Sequence, residues 1–86
     1  MANLRRYWFK FARLPYPSAV NRGCGVTAYG YDDAIEILKR TVFLGRSFPH
    51  ILRVQEDIDL SQIDQTHVIP NMGPPHIRGI WFPQGY

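Results

Sequence analysis

The 86-residue sequence holds one cysteine, three histidines and a short acidic run as its candidates for chemistry. Cys24 lies between Gly23 and Gly25, with Arg22 two positions before it. A thiolate near a cation and exposed backbone N–H groups has a lowered pKa and can act as a nucleophile. The bases it would need, His50, His67 and His76, are remote in sequence, and no thiol-enzyme signature surrounds it. Cys24 is therefore expected as a small buried apolar side chain at the entrance to a strand. Zinc ligands usually come as close pairs, whereas His67 and His76 are separated by Pro70, Pro74 and Pro75, so no metal site is expected. Glu56, Asp57 and Asp59 form an acidic cluster, in which Asp57 and Asp59, at period two, could hold a divalent cation or form an acid–base pair. Acids alone do not specify hydrolysis, and a solvated strand end is the better account of them.

Two further groups suit binding better than catalysis. At period two, Arg6, Trp8 and Lys10 share one face of a first strand. Such a basic–aromatic–basic stripe could stack a base on Trp8 while the flanking charges meet phosphates. It better fits a tryptophan packed under a loop or a subunit, covered by the stems of its charged neighbours. The segment NMGPPH, residues 71–76, reads as a rigid recognition loop or a structural turn, with Gly73 free to take positive φ. Whether Pro70, Pro74 or Pro75 is cis is left open by the sequence.

These residues must be positioned by few elements. Tyr7, Phe9 and Phe11 alternate with the basic stripe and predict a strand over 6–14, ended by Pro15 and Pro17. Residues 15–25 read as a loop and 26–29 as a second strand. Ala34, Ile35, Leu38 and Val42 recur at helical spacing and predict a helix over 32–44, with Gly45 as its stop. Asp32 or Asp33 can cap it, and Asp33 with Glu36 fits a capping box. A third strand over 51–58, a short turn near 61–64 and a last strand over 77–82 complete the order. The expected architecture is a single α+β domain over 1–86. Its two layers are a mostly antiparallel β-β-α-β-β sheet of about four strands and one main helix. Phe9, Phe11, Val26, Ile35, Leu38, Val54 and Ile80 are the expected core.

Composition bounds the function. Hydrophobic residues at 45% and charged residues at 20% are those of a folded globular chain rather than a disordered one. No apolar run exceeds three residues, which is too short for a membrane span or a signal-peptide core. A single cysteine in so small a domain points to a reducing, cytoplasmic setting. The net charge of +3 is unevenly spread: the first thirty residues hold five cations and no acid, and all seven acids fall between 31 and 64. This distribution permits contact with an anionic partner.

The stretches RYWFKF, GCGVTAYGYDDAIEIL and HVIPNMGPPHIRGIWFP resemble a family of small bacterial proteins of unknown function. The strand order also looks like a β-grasp domain, although the final residues, Pro83-Gln84-Gly85-Tyr86, do not match a ubiquitin-type Gly-Gly tail. Neither resemblance implies an activity.

The sequence thus leads to a small non-enzymatic binding or accessory module without a cofactor. Its expected partner is a protein or a second copy of itself. Arg6, Trp8, Lys10, Arg13, Asn71, Met72 and Trp81 are the candidate contacts, and Tyr16 and Tyr86 are surplus aromatics suited to an interface. The alternative is a nucleic-acid-binding domain using Arg5, Arg6, Trp8, Lys10 and Arg13. A thiol enzyme at Cys24 is the second alternative.

Overall fold

The computed structural model describes residues 3–15 and 18–86. Four strands, β1 (Arg5–Phe11), β2 (Cys24–Ala28), β3 (Ile51–Glu56) and β4 (Gly79–Phe82), form one sheet in the order β3-β1-β2-β4. Every neighbouring pair is antiparallel, so the hairpin of β1 and β2 is central and the later strands are the edges. One α-helix, α1 (Tyr31–Arg40), covers one face, giving the expected small α+β domain. Short 3₁₀ turns occur at Ala19–Arg22, Leu60–Gln62 and Ile69–Asn71. Among the described residues no helix is long and apolar enough to cross a membrane.

The alternation in β1 sorts its side chains as the sequence implies. Tyr7, Phe9 and Phe11 are buried against α1 together with Cys24, Val26 and Ala28 of β2. The helix turns Ala34, Ile37 and Leu38 toward them, and Val42 and Phe43 extend the cluster past its end. Ile35, Val54 and Ile80 are half-buried at the margin of this core. Acids in the first turn and bases in the last complement the helix dipole, and Glu36 lies 3.8 Å from Arg40.

Several boundaries differ from the sequence reading. The helix starts at Tyr31, with Gly30 rather than an aspartate at the N-cap. Asp33 works from inside the first turn, where its carboxylate accepts the Tyr29 N–H at 3.0 Å. It also accepts from Arg78, whose Nε is 2.9 Å away, and so ties the helix start to the approach to β4. The α-helix ends at Arg40, where the Thr41 hydroxyl donates back to the Ile37 carbonyl at 2.7 Å, and turns continue to Gly45. Strand β2 begins at Cys24, two residues earlier than expected, because Gly25 pairs with Trp8 and Cys24 with Phe9. Gly73 does not use a positive φ, and the cis peptide among the described residues precedes Pro83 rather than Pro70, Pro74 or Pro75.

The second face of the sheet is also covered, by the irregular segment 58–72. Ile58, Ile63 and Val68 are buried there with Trp81 and Phe82, and Trp8, Leu60, Ile69 and Met72 pack around them. Two glycines make room for the indoles. A Cβ on Gly25 would lie 2.5 Å from the Trp81 ring. One on Gly23 would lie 2.6 Å from the Trp8 ring, and Gly23 also holds φ at +130°.

Gly25→Ala should therefore cost about 1–3 kcal/mol through overpacking. Gly30→Ser, at an open extended N-cap, should change stability by only a few tenths of a kcal/mol, about 0.5 at most. Chemical denaturation of both variants checks the pair. Leu38→Ala, which empties a fully buried site under α1, should cost about 2–5 kcal/mol by the same measurement.

The Arg78 guanidinium and the Tyr29 amide hold the Asp33 carboxyl down at about 2, below its ordinary 3.8. A carboxyl depressed on folding stabilises the fold fully above its unfolded pKa and loses that contribution as pH falls through the folded value. Acid melting of the parent should thus steepen between about pH 4 and pH 2, and Asp33→Asn should flatten this part of the profile.

Candidate functional site

The face opposite α1 carries the basic stripe. Trp8 lies beside Gly25 on one neighbour and Gln55 on the other, and Lys10 lies opposite Arg53. Three aromatic rings meet here: Trp8 has its centroid 5.8 Å from that of Trp81 and 5.8 Å from that of Phe82. Trp8 is half-buried by these contacts, while Trp81 is fully buried.

Beside Trp8 a cleft of about 550 Å³ opens between β1, the loop before β2 and the covering segment. Trp8, Ile58, Ile63 and Val68 form its apolar wall, and Lys10, Arg13 and Arg22 bring three cations to it. Local hydrogen bonds set the loop side. The Ser18 hydroxyl oxygen accepts the Val20 N–H at 3.2 Å and caps the 3₁₀ turn that carries Arg22. The Asn21 side-chain oxygen accepts the Leu14 N–H at 2.7 Å, and the Lys10 ammonium donates to the Asn21 carbonyl at 2.7 Å. Arg13 makes no ion pair with a described residue.

Asp64 is the one carboxylate in the lining. It accepts from the Thr66 and His67 amides at 2.8 and 2.9 Å, contacts the His67 ring at 3.0 Å and lies 3.9 Å from Arg22. The His67 amide, then the Thr66 amide and the His67 ring, hold its carboxyl down at about 2. Asp64 is thus committed to its own turn, and the cleft keeps an excess of positive charge.

The sequence candidates are divided by the fold. Trp8, Lys10 and Arg13 meet in the cleft. Arg6, on the same strand face, lies in a separate hollow with Thr27, Asp57 and His76. Arg5 is turned to Glu56 and Asp57, at 3.9 and 3.7 Å, away from the cleft. Trp81 is not a surface contact, since its indole fills the slot over Gly25 with no exposed area. Met72 packs against the Trp81 cluster, while Asn71 is exposed and donates to the His67 carbonyl at 2.8 Å. Tyr86 is exposed, and Tyr16 lies outside the described residues. Arg22 and Gln55 are cleft residues that the sequence reading did not assign to it, because neither lies in the Arg6–Trp8–Lys10 stripe.

The other candidates have structural duties. Asp59 caps a 3₁₀ turn by accepting the Ser61 N–H at 3.0 Å. In the NMGPPH loop, the Gly73 N–H donates to the Trp81 carbonyl at 2.7 Å, and the Thr27 hydroxyl donates to the Pro75 carbonyl. Among the described residues no group of three or more His, Cys, Asp or Glu side chains is arranged to hold a metal ion. Cys24 points into the core beneath α1, and burial pushes its thiol up to about 12.

Comparison with protein-family models, with curated proteins and with solved structures finds no match to this chain.

A buried, protonated thiol should resist modification. Iodoacetamide at neutral pH should label Cys24 in the folded protein far more slowly than in denaturant, as mass spectrometry would show. Cys24→Ser should cost about 1–3 kcal/mol where the buried hydroxyl finds no partner.

Proposed function

We propose that this chain is a small binding module, not an enzyme, and that it meets an anionic partner on the sheet face opposite α1. The cleft beside Trp8 carries the reading, with Lys10, Arg13 and Arg22 converging on it from β1, the following loop and a 3₁₀ turn. Its one carboxylate is already engaged locally. Excess positive charge in a concave site draws anions and speeds their encounter. A cytoplasmic setting, where a lone thiol stays reduced, fits this reading.

A protein partner in this reading offers an acidic stretch to the cations rather than an apolar patch to the tryptophans. A second copy of the chain carries two adjacent acids, Glu56 and Asp57, that stay more than half exposed beside Arg5. A nucleic acid is the second reading, favoured by the indole beside the cations, since aromatic side chains in positive grooves stack bases.

Fluorescence anisotropy with a labelled acidic peptide and a labelled single-stranded oligonucleotide, at low and at physiological salt, tests the module. At least one polyanion should bind, and affinity should fall steeply as salt rises, because ion pairing releases bound counterions. Lys10→Glu should weaken the complex and flatten its salt dependence. Absence of binding by both probes at low salt, or binding indifferent to salt, would reject the reading.

A further inference from the structure

The cleft combines two features that a purely electrostatic surface does not need. Lys10, Arg13 and Arg22 supply charge, and beside them lies the half-exposed ring of Trp8, backed by the buried Val68. An acidic peptide would use the first and leave the second in water. A divalent cation is opposed by the three positive side chains. At about 550 Å³ the cleft has the size of small-molecule sites, which run from roughly 300 to 1,000 Å³.

Trp8 is also held in place. Its ring rests on Gly23, where a Cβ would be 2.6 Å away, and against Trp81 and Phe82. A ligand ring laid beside it would not have to order a mobile side chain, which lowers the cost of binding. The cations differ in commitment: Lys10 has one donor on the Asn21 carbonyl, Arg22 is 3.9 Å from Asp64, and Arg13 has no ion pair among the described residues. Arginine guanidinium groups match phosphate oxygens in pairs, so Arg13 and Arg22 are the natural phosphate ligands, with Lys10 as a supporting charge. Neutral donors and acceptors on Gln55 and Gln62 line the same space and suit the polar edge of a base.

We propose that this cleft is a nucleotide site: Arg13, Arg22 and Lys10 take the phosphate, and the base lies against Trp8. The inference rests on the anionic-partner reading above and narrows it to one ligand chemistry. That chemistry has two sources, a free nucleoside monophosphate or a single nucleotide of an RNA or DNA strand.

Proton–nitrogen NMR titration of the full chain separates the cases. The probes are adenosine and uridine monophosphates, inorganic phosphate, a single-stranded pentanucleotide and hexaglutamate. Nucleotides should shift the Trp8 indole N–H and the Lys10, Arg13 and Arg22 signals, and phosphate alone should bind at least about tenfold more weakly, as expected when a base contributes stacking. Arg13→Gln and Arg22→Gln, both at exposed positions, should each weaken nucleotide binding by about tenfold, the scale of one charged hydrogen bond. Arg5→Gln, outside the cleft, should leave it unchanged.

Equal affinity for the monophosphate and the pentanucleotide would assign a free nucleotide. A clear preference for the pentanucleotide would assign a strand. Hexaglutamate shifting these signals while nucleotides do not would overturn the nucleotide site and leave the anionic-partner reading standing. Phosphate binding as tightly as nucleotides would overturn the role given to Trp8. Silence from every probe would reject both readings.

Discussion

The packing of two indoles onto glycine backbone is the constraint on which the rest of this structure depends. Trp8 and Trp81 lie on the sheet face away from α1, and each occupies space that a side chain at Gly23 or Gly25 would fill. Between those glycines Cys24 points the other way, into the helix-side core. The tripeptide Gly23-Cys24-Gly25 thus serves both faces. A methyl group at either glycine would push an aromatic ring from its seat and loosen the segment held above it.

That seating explains how a chain of 86 residues covers a sheet twice. On one side α1 supplies a regular apolar stripe. On the other, residues 58–72 contribute Ile58, Ile63 and Val68 to the Trp81 and Phe82 cluster without forming an α-helix. Backbone groups in such an irregular cover still need partners. Asp59, Asp64 and Asn71 provide several of them through short side-chain-to-backbone bonds. Acids that could be taken for a catalytic cluster therefore hold turns, and Glu56 and Asp57 face Arg5.

The same arrangement creates the cleft. The covering segment meets the sheet over Trp81 and leaves the Lys10 end of β1 open, and the loop before β2 folds back to close the third side. Burial withdraws Trp81 from any partner and leaves charge, with part of one indole, as what this face offers. Lys10, Arg13 and Arg22 thus dominate what the cleft presents, and the thiol of Cys24 is sequestered beneath the helix.

By itself the sequence determined the regular elements. Period-two alternation in Arg5–Phe11 separates the core face from the basic face, since successive strand residues point to opposite sides. Helical spacing and the charge gradient of 31–40 specify α1, because both are local properties of the chain. The buried fate of Cys24 was expected from the usual behaviour of a free cysteine, although its place inside β2 was not. What only the tertiary structure decided depends on contacts between residues distant in sequence. Nothing near Trp81 signals that it packs on Gly25, and nothing near Arg22 signals that it shares a cleft with Lys10 and Arg13. Nor does residue spacing show that Arg5 and Arg6 are drawn elsewhere, since their surroundings are supplied by β3 and by the Pro75–His76 turn. Sequence periodicity fixes which way a side chain points, and long-range packing fixes what it meets there.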